Sequence, residues 1–134
     1  MDNCLFCKII KGEIPCYKIY EDEYTLAFLD IAKDVDGHTL VIPKKHVDNI
    51  FDCDKETLNH VMNAVKLISN HYVTNCGFSG INLINNNGAS AEQAIKHLHI
   101  HIIPRIENDN IYVFPKFAGA KFSLEDTLNK LKIN

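Results

Sequence analysis

No stretch of this chain approaches the run of about 18 consecutive apolar residues that a membrane-spanning helix requires. No internal repeat or low-complexity linker interrupts its 134 residues, enough for one domain with a real core and too few for two. An excess of charge is missing too: 14 Lys and Arg stand against 17 Asp and Glu, a net charge of −3 with the histidines neutral. That balance carries no electrostatic footprint for nucleic acid or an anionic membrane, so neither is expected as a partner. The opening residues Met1-Asp2-Asn3-Cys4 lack the basic and apolar regions of a secretory signal. Five cysteines, an odd number, therefore read as reduced thiols in a cytoplasmic protein and not as a disulfide framework. What is present, 46% hydrophobic and 23% charged residues, is the make-up of an ordinary globular protein.

Apolar periodicity divides the chain into elements. Leu5, Phe6, Ile9 and Ile10 recur at helical spacing, with Gly12 as a stop. Residues 17–21 and 25–30 read as two strands joined at Asp22-Glu23, and 37–43 as a third, ended by Pro43. Leu58, Val61, Met62, Val65, Leu67, Ile68 and Tyr72 return every three or four residues. They predict a long amphipathic helix over 54–74, with Asp54 as N-cap and Gly77 closing the connection after it. A fourth strand is expected over 79–85, a loop over 86–90, and a fifth strand over 97–103, stopped by Pro104. Ser123 then opens a short final helix. The order predicts an α+β fold: a five-stranded antiparallel sheet with one long and one or two short helices.

The fifth strand reads His97-Leu98-His99-Ile100-His101-Ile102-Ile103. Period-two alternation turns all three imidazoles to one face and the apolar residues to the other. Neighbouring rings on that face stand roughly 6.5–7 Å apart, close enough to converge on one small ligand. Imidazole can serve as nucleophile, acid, base or metal ligand near neutral pH. The residues alone allow a polar solvent face on an edge strand, a metal site without catalysis, or a catalytic His₃ zinc site. The zinc reading lacks a close carboxylate base, since the nearest acids are Glu92 and Glu107.

The motif resembles that of the histidine triad (HIT) superfamily of nucleotide-binding hydrolases and transferases. Further matches are Phe6-x-x-Ile9, Ala27-Phe28-Leu29-Asp30-Ile31, the segment from Gly37-His38-Thr39 through Pro43-Lys44-Lys45-His46, and Asn86-Asn87-Gly88 ahead of Glu92-Gln93. They span residues 4–105, leaving 106–134 as the tail of one domain over 1–134. The nearest branch resembles the histidine triad nucleotide-binding (protein kinase C-interacting-like) proteins, in a bacterial form with an N-terminal CxxC. The resemblance implies that His99 is the nucleophile, attacking the α-phosphorus of a nucleoside phosphoramidate or related ester to give a nucleotidyl-imidazole that water hydrolyses. His101, His97 and His38 complete the catalytic set, His101 and His38 donating to phosphate oxygens. A carbonyl behind the strand would fix the tautomer of His99.

By the same resemblance Asn86 contacts the phosphate, Gly88 lets backbone approach the anion, and Gln93 matches beside them. Ala94 departs from the family, where Ser or Thr is common, and removes a hydroxyl near the leaving group. Phe6, Ile9, Phe28, Leu5 and Ile31 would hold a purine base and Asp30 the ribose hydroxyls. By periodicity alone Phe28 and Ile9 are simply core. The alternative function is a feebly active nucleotide-binding regulatory or scaffold protein. A homodimer through the long helix and a strand edge is also implied, and no organic cofactor.

Cys4-x-x-Cys7 alone is compatible with two buried free thiols, a redox pair or half a metal site. Bacterial members with this CxxC bind structural zinc through it, the histidine after Pro-Lys-Lys and the first of the triad. Here that implies Cys4, Cys7, His46 and His97. Cys16, Cys53 and Cys76 have no partner spacing and are expected to pack.

Overall fold

Residues 3–134 are described by the structure, a computed structural model. Strands β1 (Lys18–Glu21), β2 (Thr25–Leu29), β3 (Thr39–Pro43), β4 (Gly80–Ile84) and β5 (Ile100–Arg105) form one antiparallel sheet in the order β1-β2-β3-β5-β4. Helices α1 (Leu5–Ile10), α2 (Lys55–Asn75) and α3 (Leu124–Leu131) accompany it, so the expected five strands with one long and two short helices are present.

Alternation sends the two faces of the central strands to different partners. Ala27, Val41, Ile100 and Ile102 meet Val61, Ala64, Val65, Ile68 and Tyr72 of α2. Leu26, Phe28, Leu40 and Ile42 face the other way and pack with Phe6 of α1. β3, covered on both sides, is buried along its whole length. The triad histidines share the α1 face with Phe6, whose ring meets those of His97 and His99. Asp54 caps α2 as expected, its carboxylate accepting the Thr57 N–H at 3.1 Å. Gly77, at φ +85°, turns the chain out of the helix in a conformation open to glycine at little cost.

Two expectations at the histidine strand are corrected. The ladder begins at Ile100, so His97 and His99 precede it. Extending the observed register (Thr39↔Ile102, Val41↔Ile100) would set Leu98 opposite Pro43, which has no N–H to give. Leu98 N–H bonds the Val47 carbonyl instead, at 2.9 Å. Nor does Pro104 stop the strand, which runs to Arg105. Pairing with β3 ends at Ile102, and Pro104 stays in the ladder through β4 alone, opposite Ile81. Cys76 is exposed and does not pack.

Past β5, Arg105 ion-pairs with Asp109 at 2.8 Å and donates to Asn82 and to the Ile111 carbonyl, fastening the start of the tail beside β4. α3 is capped by Ser123 and buries none of its residues. Among the described residues, no helix is long and apolar enough to cross a membrane.

Candidate active site

α1 opens on a sulfur. Cys4 is its N-cap, and the Cys7 N–H donates to Cys4 Sγ at 3.3 Å, so one helical turn presents both thiols together. The turn after β3 brings His46 to them and the approach to β5 brings His97. His97 Nδ1 lies 3.3 Å from Cys4 Sγ, 3.6 Å from Cys7 Sγ and 3.1 Å from His46 Nδ1; Cys7 Sγ is 3.3 Å from His46 Nδ1. The other ring nitrogens are engaged: His97 Nε2 donates to the Pro43 carbonyl at 2.8 Å and His46 Nε2 to the Asp48 carboxylate at 2.9 Å. Those oxygens only accept, so each Nε2 carries the proton and the two Nδ1 lone pairs face one another. Such lone pairs repel unless a cation lies between them. Tetrahedral zinc, with bonds of ~2.3 Å to sulfur and ~2.0–2.1 Å to nitrogen, sets its ligand atoms roughly 3.3–3.8 Å apart, close to the spacings here. Burial, with Cys4 beside it, pushes the Cys7 thiol up to about 11, and a divalent cation would draw that proton off. The donor set therefore fits a closed, structural metal centre.

His99 is 6% exposed and its Nδ1 donates to the His97 carbonyl at 2.8 Å. A carbonyl cannot donate, so Nδ1 holds a proton, and in the neutral form of the ring Nε2 carries the lone pair. Asn85 Nδ2 donates to the His99 carbonyl at 3.0 Å, replacing a ladder bond just past the end of β4. On one side the His99 ring meets Phe6 edge-on at 5.2 Å between centroids, and on the other His101 at 4.9 Å. His101 Nδ1 lies 2.9 Å from His38 Nε2, and His38 Nδ1 lies 2.8 Å from Asp34 Oδ1. Burial pushes His101 down to about 4, with His99 and His38 adding to the effect and Asp30 and Asp34 opposing it. At neutral pH His101 is therefore an uncharged ring.

The expected nucleoside residues come together. Leu5, Phe6, Ile9, Phe28, Asp30 and Ile31 line one apolar cleft of about 190 Å³. Phe6 and Phe28 are buried in its wall and belong to the core, while Ile31 stands exposed at its rim. Phe28 is thus core, as periodicity predicts, and also borders the cleft. Asp30 accepts the Ala32 N–H at 2.8 Å with one oxygen, and the other lies 3.7 Å from His38 Nε2. A second cavity of about 330 Å³ is lined by Asp34, His38, His101 and Asn86, together with Ile111 and Tyr112 of the tail.

Gly88 and Gln93 are placed differently. Gly88 adopts φ +93°, but its N–H donates to Gln93 Oε1 at 2.9 Å and is not offered to an anion. Gln93 Oε1 also accepts from Asn49 Nδ2, and its Nε2 donates to the Asp48 and Ile95 carbonyls, so the side chain is spent on tying loops together. Asp34 and Asn85 escaped the sequence reading. An acid four residues ahead of a histidine in a turn was the one available signal for Asp34; Asn85 had none.

Residues 11–108 match the HIT domain family. An uncharacterized HIT-like protein of Methanocaldococcus jannaschii is 45% identical over 131 residues, 96% of this chain and 98% of that protein. An adenosine 5'-monophosphoramidase of Schizosaccharomyces pombe is 42% identical over 103 residues, 77% of this chain and 74% of that protein. The crystal structure of a HIT family protein from Bacillus anthracis superposes with a TM-score of 0.83 at 45% identity, covering 96% of this chain and 92% of that one. A zinc-bound histidine triad family protein from Mycobacterium smegmatis superposes with a TM-score of 0.79 at 35% identity, over 84% of this chain and 81% of that one.

Proposed function

This chain belongs to the HIT domain family, and from that membership together with the geometry around His99 we propose that it is a nucleotidyl hydrolase acting on purine nucleoside phosphoramidates. The observation that carries the reading is the hold on His99: its Nδ1–H is bound by the His97 carbonyl and its ring lies against Phe6 of the apolar cleft and against His101, and in this reading Nε2 acts as the nucleophile. A purine seats between Ile9, Phe28 and Ile31, with Asp30 facing the ribose hydroxyls. His99 Nε2 forms a bond to the α-phosphorus, the bond to the leaving amine breaks with its electron pair, and water then frees the nucleotide from the imidazole. His38, His101 and Asn86 surround the phosphoryl oxygens as charge develops. The phosphoramidase name of the fission-yeast relative supports the substrate class.

Cys4, Cys7, His46 and His97 hold a structural zinc ion in this reading, supported by the zinc-bound mycobacterial neighbour. The ion supplies a cross-link between α1 and the approach to β5. Pairing with a second copy is supported by the edge position of β4 and by exposed Met62 and Leu67 on α2.

Intact-mass measurement of protein quenched during turnover of adenosine 5'-phosphoramidate tests the proposal. An adenylyl adduct is expected on the native chain and none on His99→Ala. Turnover surviving in His99→Ala would refute it.

A further inference from the structure

His38 has two nitrogens and the structure assigns a partner to each, but only one of the partners belongs to the triad. Nε2 faces His101 Nδ1 at 2.9 Å, and Nδ1 meets the Asp34 carboxylate at 2.8 and 3.1 Å. His38 is buried, and Asp34 sits on the turn between β2 and β3 with its side chain 53% exposed. That turn is braced from within: the Asp30 N–H donates to the His38 carbonyl at 2.8 Å and the Val35 N–H to Asp34 Oδ1 at 2.8 Å. Burial works against the Asp34 charge, yet the hydrogen bond from His38 and those from backbone N–H groups outweigh it and hold the carboxyl below its ordinary value. Asp34 is thus an anion at neutral pH.

We propose that Asp34 is a positioning residue of the active site: by holding His38 Nδ1–H it aims His38 Nε2 at His101 and so decides whether the remaining nitrogen of His101 meets the substrate as donor or acceptor. The assignment rests on the hydrolase reading for its chemistry but on the three-residue chain alone for its geometry. A carboxylate only accepts, so His38 Nδ1 carries a proton. If the His38–His101 pair holds no extra proton, His38 Nε2 has a lone pair. His101 must then donate from Nδ1, and its Nε2 presents a lone pair to phosphate. With one extra proton, His38 donates at both nitrogens, His101 accepts at Nδ1, and His101 Nε2–H becomes a donor without His101 itself being charged.

That second state supports the leaving step. As His99 Nε2 bonds to phosphorus, the phosphorus–nitrogen bond breaks with its electron pair on the amine, which takes the His101 Nε2 proton. His38 passes its Nε2 proton to His101 Nδ1, leaving both rings neutral. Hydrolysis by water returns one proton along the same path. The relay also offers the leaving amine a proton source where Ala94 brings no hydroxyl. The other charged or titratable groups facing the pair are Asp30, at 3.7 Å from His38 Nε2, His99 beside His101, and Tyr112 across the cavity.

Asp34→Asn keeps the size and one acceptor oxygen while removing the charge, and Asp34→Glu keeps the charge. Histidine nitrogen NMR on the full, metal-loaded chain reads tautomers and the titration midpoint of the His38–His101 pair without substrate; kcat and KM on adenosine 5'-phosphoramidate are followed against pH. An anion within about 4–6 Å raises such a midpoint by one to three units, and the exposure of Asp34 favours the low end. In Asp34→Asn the midpoint and the alkaline limb of kcat should both fall by about one pH unit. That is roughly a tenfold loss of kcat above the limb, with KM within about twofold, and Asp34→Glu should recover most of it. Coincident titrations and superimposable kcat profiles for native and Asp34→Asn protein would overturn the proposal. A shifted midpoint in a chain that turns over no phosphoramidate supports the hold of Asp34 on His38 and removes the hydrolase reading instead.

Discussion

Phe6 occupies the joint between the two chemical groups of the molecule. Its ring meets Phe28 at 5.6 Å, His97 at 5.8 Å and His99 at 5.2 Å, in each case edge-on. The family resemblance marked it as a base-contacting residue; the structure adds that it is 2% exposed and packs against both His97 of the Cys/His cluster and His99, the proposed nucleophile. Truncation would therefore open a cavity against three rings. Phe6→Ala should lower stability by about 3–5 kcal/mol in urea denaturation and Phe6→Leu by much less. A loss in Phe6→Ala below about 1 kcal/mol would show that the ring is not packed as described. Gln93 illustrates the opposite outcome. Its match to the family was legible, but all four of its side-chain hydrogen bonds run to protein groups, so the side chain ties the Asp48–Asn49 and Gly88 loops together.

Among the elements, α2 was the most legible, because a repeat of apolar residues from Leu58 to Tyr72, about four turns, leaves little ambiguity about which face is buried. Its start is set by Asp54, whose carboxylate accepts from Thr57 N and Thr57 Oγ1 and pairs with Lys45 at 3.0 Å. These bonds, the Thr57 hydroxyl first, hold the carboxyl well below the ordinary carboxylate range. A carboxyl depressed on folding contributes its stability above the unfolded value of about 3.9 and loses it as pH falls toward the folded value. Asp54→Ala should lower the Tm by about 3–5 °C at pH 7, and the gap from native protein should close steadily below pH 4. Calorimetry at the two pH values checks this; a gap independent of pH would mean that the charge is not engaged. α1 is different in kind. Six residues are too few to hold a helix in water, so it depends on the burial of Phe6 and on the Cys4 cap and Cys7 at its first turn.

For the molecule as a whole, the Cys4–Cys7–His46–His97 cluster joins positions 4 and 97, the start of the chain and the approach to β5. Chelation should lower the Tm by more than it lowers the initial hydrolysis rate at low temperature. The reverse order would argue for a catalytic ion. Chelated protein should also show a distinct acid response. Burial pushes both His97 and His101 down to about 4, so the folded chain resists taking their protons while the unfolded chain binds them near 6.5. Stability is therefore complete above that value, falls as pH drops from about 6.5 to 4, and levels off below. Urea midpoints across that window measure it, and a flat profile would contradict the burial of the two rings.

Periodicity by itself determined that there would be five strands, a long helix after residue 54, and a row of histidines on one face, because helix and strand repeats are local properties of the backbone. Resemblance supplied the grouping of Cys4, Cys7, His46 and His97, which spacing could not. Only the tertiary structure decided what each ring touches. His97 turns Nδ1 to sulfur because its Nε2–H donates to the Pro43 carbonyl; His99 is oriented by donating its Nδ1–H to the His97 carbonyl; His38 is held by Asp34 through a turn with no repeat to announce it. Hydrogen bonds between groups up to 93 residues apart depend on angles and burial set by the packed sheet, and no local pattern in a chain encodes those.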